Sequence, residues 1–215
     1  MITKPEPTRR RSRRPSRQVP RRHSSGWETD SASHSLAGRL LVATPSMGDP
    51  RFAQAVIYIC AHTPEGAMGL VLNRPLSEPR FADLLLQLDI PPDPSRDIRV
   101  CSGGPVDQMR GFVLHSSDWR ASDTLTIDHA YSMTASLDIL RAIADGRGPA
   151  RSILALGYAG WESGQLEAEL RTPSWLAAPA DEAILFDSAF GTKWRRALGR
   201  IGIDPAALVA ESGHA

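Results

Sequence analysis

The pattern of apolar and polar residues in the first third of the chain predicts β-structure. Two apolar runs, AQAVIYICAH at 53–62 and GAMGLVLN at 66–73, have the turn formers TPEG between them. Two β-branched runs joined by a short segment with Pro and Gly are typical of a β-hairpin. Both runs are apolar at nearly every position, which indicates strands covered on both faces. A further strand is predicted for SLAGRLLVA, before the turn-rich loop TPSMGDPRF.

A period of 3.6 residues in the apolar positions predicts four helices. They are expected in the segments RFADLLLQLDIPP, SLDILRAIADG, SGQLEAELRTP and FGTKWRRALGRIG. The residues expected to be buried, in the same order, are Phe81, Leu84, Leu85 and Leu88; Leu137, Leu140 and Ala144; Leu166 and Leu170; and Phe190, Trp194, Leu198 and Ile201. Pro91 and Pro92 prevent continuation of the first helix. Gly146 ends the second helix, and Ser163 is the expected N-cap of the third.

The remaining apolar runs predict strands that are mixed with these helices. They are IRVCSGGP, RGFVLH, a pair within TLTIDHAYSMT, RSILALGYAGW and DEAILFD. Hairpins in the N-terminal part of the domain and helical crossovers in its C-terminal part favour an α+β domain around a mixed sheet. We expect one domain over residues 36–215, after a tail at 1–35 that is rich in Arg, Ser and Pro. The tail holds too few aliphatic residues to offset the entropy of ordering, which predicts disorder.

The net charge of +1 conceals an uneven distribution. Residues 1–22 hold eight arginines and Lys4 against Glu6, a charge of +8, and the remaining 16 basic and 23 acidic residues give −7. A basic tail can contact nucleic acid or an anionic membrane through phosphate groups, although a solvated tail without a partner is the simpler alternative. The acidic domain and the lack of a helix-turn-helix pattern argue against sequence-specific DNA binding by the domain itself.

The two cysteines, Cys60 and Cys101, predict a reduced, cytoplasmic protein without a disulfide framework. No apolar run approaches the ~20 residues needed to cross a bilayer. No apolar segment follows the basic N-terminus, as a secretory signal would require. Cys60 and His62 would lie on one face of a strand, but no further ligands accompany them at zinc spacing. We therefore expect no metal and no cofactor.

Residues 100–115, VCSGGPVDQMRGFVLH, resemble an enzyme site more than any other stretch does. A Walker loop would need GxxxxGK[ST] and a dinucleotide fingerprint would need GxGxxG before a helix, so neither fits. The GxSxG of a nucleophile elbow is also absent. Cys101 and His115 could form a thiolate–imidazole pair, but a cysteine that ends an apolar strand usually packs as a small apolar side chain. The pattern favours a turn between two strands, whose amides could bind an anion with help from Arg110.

Several blocks of the sequence closely resemble the bacterial YqgE/AlgH family, in the same order and spacing. They are GRLLVATPSMGDPRFAQAVIYICAHTPEGAMGLVLNRPL, CSGGPVDQMRGFVLH, LGYAGWESGQLEAEL, SWLAAPADEAILFD and the closing GHA. The match runs from about Leu36 to the C-terminus. The resemblance implies an α+β fold, a small β-barrel with a bifurcated mixed sheet surrounded by helices, in a cytoplasmic bacterial protein. It implies no reaction, although the name AlgH carries a suggested role in transcriptional regulation of alginate synthesis.

Loop residues typical of the family fall into four groups, and loops on a rigid scaffold commonly carry function. If the four loops meet at one end of the barrel, they form a pocket of mixed polarity. The groups are Thr44–Pro45–Ser46–Met47, Asn73–Arg74–Pro75, Ser102–Gly103–Gly104–Pro105 and Gly160–Trp161–Glu162. The candidate pocket residues are Ser46, Asn73, Arg74, Gly103, Gly104, His115, Trp161 and Glu162.

Three functions fit this sequence. The leading hypothesis is a non-enzymatic binding or regulatory protein that uses the loop cluster to bind a small anion or a protein partner. The second is a hydrolase or transferase for a small anionic substrate, with Arg74 as anion clamp and Cys101, His115 or Glu162 as the reacting group. The third is a transcription-related protein that contacts nucleic acid through the basic tail. For Arg74 itself we favour a structural ion pair, with Glu162 or Asp107, over an anion clamp.

Overall fold

The computed structural model describes residues 35–206, which form nine strands and five α-helices. The strands are β1 (Arg39–Ala43), β2 (Val56–Thr63), β3 (Gly66–Val71), β4 (Val100–Ser102), β5 (Val106–Ser116), β6 (Leu125–Thr126), β7 (Tyr131–Thr134), β8 (Ser152–Glu162) and β9 (Trp175–Pro179). The helices are α1 (Phe81–Gln87), α2 (Leu137–Ala144), α3 (Gln165–Leu170), α4 (Glu182–Phe186) and α5 (Phe190–Gly199). The basic tail, except for Ser35, and the C-terminal residues 207–215 lie outside the described residues.

All nine strands belong to one sheet that branches at β8. Its path runs β6-β7-β5-β8-β3-β2-β1-β9, with antiparallel neighbours throughout. The strand β4 leaves this path and pairs in parallel with residues 154–156 of β8, whereas β3 pairs with residues 159–162. The sheet is therefore mixed and forked, and it curls into a half-barrel with helices around it. The predicted α+β class is confirmed.

Both faces of the central strands are covered, as the apolar runs predicted. Along β1, Leu40 and Val42 enter one apolar core, whereas Leu41 and Ala43 enter a second one on the opposite face. The first core lies against α4 and α5, the second against α3, and a third holds α1 and α2. Alternation of side chains along a strand sends neighbouring residues to opposite faces, so a strand buried on both sides must be apolar throughout.

Several predicted elements are confirmed. The segments β2 and β3 form the expected hairpin, β6 and β7 form the expected pair, and α1 begins at Phe81 and ends before the Pro91–Pro92 pair. In α5, Trp194 and Leu198 are buried, and Phe190 and Ile201 pack against the same core. In α1, Leu85 is buried as predicted but Leu88 is largely exposed, because it is the C-cap residue of a helix that ends at Gln87.

The prediction of a strand for DEAILFD is wrong, because this segment forms α4. The side chain of Asp181 accepts the backbone N–H of Ile184 at 2.8 Å and caps the helix, which then buries Ile184 and Leu185. A short apolar run is compatible with a strand and with a buried helix, and here the N-cap hydrogen bond of Asp181 favours the helix. The edge strand lies earlier, at Trp175–Pro179, where it pairs with β1.

Two further details of the helices differ from expectation. The N-cap of α3 is Gly164, with φ of +72°, whereas the hydroxyl of Ser163 donates to the carbonyl of Pro64 at 2.6 Å. In α2, Leu137 is exposed, because the buried face is rotated toward Ile139. Ser163 therefore fastens the β2–β3 hairpin to the end of β8 instead of capping a helix.

The segment between β4 and β5 crosses the backbone of β8. Both strands flank the same part of β8, on opposite sides, so the link through Gly103 and Gly104 must pass over it. A Cβ on Gly103 would lie 2.2 Å from the carbonyl oxygen of Gly157, and one on Gly104 would lie 2.1 Å from the carbonyl carbon of Tyr158. Gly104 also has φ of +154°, a conformation that L side chains rarely adopt. The predicted link between two strands is confirmed, and the crossing explains both glycines.

Candidate functional site

An open cleft of about 880 Å³ lies on one face of the curled sheet. Residues of β2, β3, β5, β6, β7 and β8 line it, together with the start of α3. Its apolar floor consists of Met68, Phe112, Met133 and Tyr158, which lie in or against the first apolar core. The cleft is thus the open side of the half-barrel, where that core reaches solvent.

The walls of the cleft carry more negative than positive charge. The acidic residues are Glu65, Asp123 and Glu162, and none of them forms an ion pair within residues 35–206. A hydrogen bond with Thr63 lowers the pKa of Glu65, which keeps this carboxyl ionised. The single arginine of the cleft, Arg110, lies with its Cζ 5.1 Å from the centre of the Phe112 ring. The cleft therefore presents a formal charge of −2 to a ligand.

Apolar side chains continue from the floor of the cleft to its edge. Val106 and Leu125 line the cleft and are more than a third exposed. Met109, on the same part of β5, is 96 % exposed. The register of β5 against β8 shifts between Val106 and Gly111, so this part of the strand leaves the regular ladder. Exposed apolar residues grouped beside a cleft are typical of a surface that binds a partner.

Trp161 and Glu162 are the two sequence-predicted candidates that line the cleft. Glu162 is exposed at the end of β8, and its backbone N–H donates to Oε1 of Gln165 at 3.0 Å. Trp161 is buried, and its indole Nε1–H donates to Oε2 of Glu169 at 2.9 Å. The indole of Trp175 donates to the same oxygen, also at 2.9 Å. One carboxylate oxygen thus positions two indole rings.

Asn73 and Arg74 fasten the segment that leads into β2. The side chain of Asn73 accepts the N–H of Val56 at 2.9 Å and donates to the carbonyl of Gln54 at 2.8 Å. The guanidinium of Arg74 donates to the carbonyl of Ala53. The ion pair of Arg74 with Glu162 or Asp107, which we favoured from the sequence, is not formed.

The loop with Ser102 and Gly103 lies directly beside Arg74 through backbone hydrogen bonds. Ser102 N–H donates to the carbonyl of Arg74 at 2.9 Å, and Gly103 N–H donates to the carbonyl of Leu156 at 2.8 Å. These two amides are therefore occupied within the protein. The neighbouring Gly104 lies against the β8 backbone, and Val106 then enters the cleft wall.

Ser46 lies in a different loop and is exposed. Its backbone N–H donates to the hydroxyl of Thr44 at 3.2 Å, and that hydroxyl donates to the carbonyl of Pro173. Its neighbour Met47 lines two smaller cavities, and neither includes Asn73, Arg74 or Gly103 in its lining. The four loops therefore do not meet around one of these cavities.

His115 lies in β5, is fully buried and does not line the cleft. Its Nδ1–H donates to the carbonyl of Ser116 at 2.8 Å, so Nε2 accepts the hydroxyl of Thr134 at 3.0 Å. Burial lowers the pKa of His115, which favours this neutral tautomer. The ring packs edge-to-face against Trp119.

Cys101 is also fully buried, and burial raises the pKa of its thiol to about 12. A thiol in this state is a weak nucleophile. Lys193, in the first turn of α5, is an unexpected charged residue in the same core. It has no exposed surface, its ammonium donates to the carbonyl of Leu185 at 2.9 Å, and burial lowers its pKa to about 8.

No group of three or more His, Cys, Asp or Glu side chains within residues 35–206 has an arrangement that could hold a metal ion. Cys60 is buried, whereas His62 donates from Nε2 to Glu167 at 2.7 Å while Nδ1 accepts the N–H of Leu36 at 3.0 Å. His62 therefore connects the start of the described chain to α3. In the same range, no helix is long and apolar enough to cross a membrane.

Sequence reasoning missed the residues that form most of the cleft. Met68, Phe112, Met133 and Tyr158 lie on four strands that are far apart in sequence, so no local pattern could bring them together. Glu169 was not among the candidate residues. Its proximity to two tryptophans, eight residues before and six residues after it, was the one available signal.

Comparison with known proteins agrees with this fold. A model of the AlgH-like family, DUF179, matches residues 40–206. A UPF0301 protein of Rhodospirillum rubrum is 55 % identical over 181 residues, covering 84 % of this chain and 94 % of the relative. A UPF0301 protein of Methylocella silvestris is 54 % identical over 189 residues, with 84 % and 92 % covered.

Two solved structures share the architecture. The solution structure of the AlgH protein from Pseudomonas aeruginosa superposes with a TM-score of 0.70 at 47 % identity, covering 85 % of this chain and 97 % of that one. A crystal structure of a protein from Corynebacterium diphtheriae gives a TM-score of 0.65 at 21 % identity, covering 80 % and 90 %, a likeness of fold alone. Because the family model matches residues 40–206 and relatives are more than 50 % identical, this chain belongs to the AlgH-like, UPF0301 family of bacterial proteins.

Proposed function

We propose that this protein is a non-enzymatic binding protein whose cleft takes a cationic, amphipathic segment of a partner protein. The observation that carries the proposal is the combination of an apolar floor with three carboxylates that have no ion-pair partner in the described part of the chain. An apolar floor favours a ligand with an apolar face, and unpaired carboxylates around it favour basic side chains at the edges of that face.

The two methionines of the floor support a peptide ligand. Methionine side chains are unbranched and polarizable, so they adapt to apolar side chains of different shapes, and they are common on surfaces that bind amphipathic helices. Met68 and Met133 lie in the cleft, and Met109 is exposed on the strand that forms its wall. An anionic ligand would face a formal charge of −2, which argues against the small anion that the sequence suggested.

Binding is a better account than catalysis because the candidate reacting groups are separated. Cys101 and His115 are buried outside the cleft, and the guanidinium of Arg74 is bonded to the backbone. Glu162 alone lines the cleft, without any of these residues beside it. A hydrolase or transferase of the kind suggested by the sequence needs its reacting group and its anion clamp around one substrate, and these residues do not line one cleft.

The test uses two synthetic amphipathic helices of equal length, one of leucine and lysine and one of leucine and glutamate. We expect the full-length protein to bind the lysine peptide and not the glutamate peptide in isothermal titration calorimetry. Replacing Glu65→Gln and Glu162→Gln together should weaken binding of the lysine peptide by about tenfold or more, since each lost charge contact is worth about 1 kcal/mol.

The matched control is the pair Glu78→Gln and Glu182→Gln, which makes the same two substitutions and the same change of net charge outside the cleft. This control should bind the lysine peptide like the parent at equal ionic strength. If both double variants lose affinity equally, net charge accounts for the binding and the cleft does not. If neither peptide binds, the proposal fails.

Nucleic-acid contact through the basic tail is a second candidate, which the charge of +8 in residues 1–22 favours. Deleting residues 1–30 should remove salt-dependent binding to generic DNA and leave the melting temperature of the domain nearly unchanged. Binding that survives with an unchanged salt slope would place the phosphate contacts on the domain. For the location of the protein we propose the cytoplasm, where the free thiols of Cys60 and Cys101 would stay reduced.

A further inference from the structure

A second, smaller cavity of about 280 Å³ shares Gly160, Trp161 and Gln165 with the lining of the cleft. Its aromatic wall consists of Phe52, Trp161 and Trp175. The rings of Phe52 and Trp175 are 5.7 Å apart at 64°, and those of Trp161 and Trp175 are 6.3 Å apart at 75°. The rings pack edge-to-face and line one cavity, and aromatic rings around a cavity can attract an organic cation.

The cavity also contains a carboxylate whose charge is not neutralised by a cation. Glu169 lines the cavity and takes part in no ion pair within the described range. The second carboxylate, Asp49, is bonded at 2.6 Å to Arg51, which also lines the cavity with its Cζ 5.9 Å from the centre of the Phe52 ring, so these two charges cancel. A cation among the three rings would therefore gain both the cation–π attraction and the field of Glu169.

The hydrogen bonds of Glu169 indicate which cation fits. Its Oε2 accepts the indole N–H groups of Trp161 and Trp175, and its Oε1 accepts the amide of Gln165 at 2.9 Å. Three of its roughly four lone-pair sites are thus occupied. A guanidinium or a primary ammonium would bring three to five N–H donors to a cavity with few free acceptors. A fully methylated, quaternary ammonium has no N–H donors to satisfy.

We propose that the space bounded by Phe52, Trp161, Trp175 and Glu169 is an aromatic cage for a methylated ammonium group. This site shares Trp161 with the cleft, but its proposed ligand does not depend on the peptide proposed for the cleft. The group could belong to a trimethylated lysine side chain or to a free choline-like molecule, because both present the same quaternary ammonium.

The experiment titrates full-length protein with tetramethylammonium chloride and observes tryptophan indole and methionine methyl signals by NMR. We expect saturable shifts of the Trp175 indole N–H and the Met47 methyl group, both of which line the cage and not the cleft. Ammonium and guanidinium chloride at equal ionic strength should produce much smaller shifts. A trimethyllysine peptide and choline, compared next, identify the source of the group by their relative affinity.

Two variants test the cage directly. Phe52→Leu keeps an apolar side chain but removes one ring, and we expect it to weaken tetramethylammonium binding roughly fivefold. Glu169→Gln keeps an acceptor for the indoles and removes the charge, and it should weaken binding in the same direction. Phe190→Leu is the matched control, because Phe190 is also half-buried but does not line the cage.

Several results would overturn the cage. They are signals of Trp175 and Met47 that stay unmoved, shifts that all three cations produce equally, or parent-like affinity in both Phe52→Leu and Glu169→Gln. If Phe52→Leu does not fold, the affinity of Glu169→Gln for tetramethylammonium alone tests the cage. None of these results bears on the cleft, whose ligand contacts Met68 and Met133 instead.

Discussion

The indole of Trp161 donates a hydrogen bond of 2.9 Å to Oε2 of Glu169, and this acceptor also holds the indole of Trp175. Both tryptophans are buried, at 7 % and 4 % exposure, so their N–H groups have little access to water. The carboxylate near the C-terminal end of α3 therefore fixes two indoles, of which Trp161 lines both the cleft and the smaller cavity.

The first prediction concerns this carboxylate. Glu169→Ala should lower the free energy of unfolding by about 2–4 kcal/mol, because it leaves two buried indole donors without an acceptor. Glu169→Gln, which retains an acceptor, should cost clearly less. Urea denaturation of both variants measures the difference. Equal stability of Glu169→Ala and the parent would show that the two indole hydrogen bonds contribute nothing.

A second prediction separates two of the loop residues that the sequence singled out together. Asn73→Ala should cost about 2 kcal/mol, since it leaves the N–H of buried Val56 and the carbonyl of Gln54 unpaired. Arg74→Ala should cost about 1 kcal/mol, because it removes a bond to a carbonyl and leaves no buried charge behind. Urea denaturation with Ser46→Ala as the exposed control checks the order. A loss of 3–5 kcal/mol in Arg74→Ala would instead favour the buried ion pair that the sequence suggested.

The crossing of β8 gives a third prediction. Gly103→Ala and Gly104→Ala should each prevent native folding, because the added Cβ meets the β8 backbone at 2.2 Å and 2.1 Å. Gly191→Ala is the matched control, since nothing lies within 4 Å of its Cβ position and alanine is the better helix former. Circular dichroism and thermal melting distinguish the cases. A folded Gly104→Ala protein with a parent-like melting temperature would contradict the crossing.

The buried ammonium of Lys193 leads to a fourth prediction, on pH. Its pKa is lowered to about 8 in the folded protein, against about 10.4 in an unfolded chain, so between these values the unfolded state binds more protons. Stability from this group alone therefore rises with pH over that window, and below about pH 8 the buried charge destabilises the fold. Lys193→Met should be more stable than the parent near pH 7, by roughly 2 kcal/mol, and this difference should shrink toward pH 10.

The comparison with Lys193→Met is needed because other groups titrate in the opposite direction. The pKa of Cys101 is raised to about 12, so its unfolded thiol loses its proton first and stability falls with rising pH. Both proteins contain Cys101, and subtraction removes most of its contribution. A stability difference between the two proteins that is constant with pH would contradict a lowered pKa for Lys193.

The sequence predicted those elements whose apolar pattern is local. The β2–β3 hairpin follows from two continuous apolar runs around a turn segment, and α1 and α5 follow from 3.6-residue patterns, with the Pro-Pro pair barring continuation of α1. For DEAILFD, the apolar residues suit a strand or a short helix equally, and the N-cap bond of Asp181 selects the helix. That bond is local, between residues three positions apart, so Asp181 was an N-cap signal that the apolar pattern alone does not record.

The candidate site was harder to predict because its residues meet only through the sheet. Met68 and Met133 are 65 positions apart and become neighbours of one cleft because β5 and β8 lie between their strands. The sequence suggested that the turn at Gly103 and Gly104 could bind an anion. In the structure this segment crosses the backbone of β8 instead. Trp161 and Glu162 remain the candidates that the structure places at the cleft, and their role there is a proposal.

The most direct test of the binding proposal is an NMR titration of methionine methyl groups with the leucine–lysine peptide. Met68 and Met133 line the cleft, whereas Met47 does not, so the methyl signals report on location as well as binding. The account predicts saturable shifts of the Met68 and Met133 signals with the lysine peptide, none with the glutamate peptide, and a largely unchanged Met47 signal. Binding of the lysine peptide that leaves Met68 and Met133 unmoved would contradict the account.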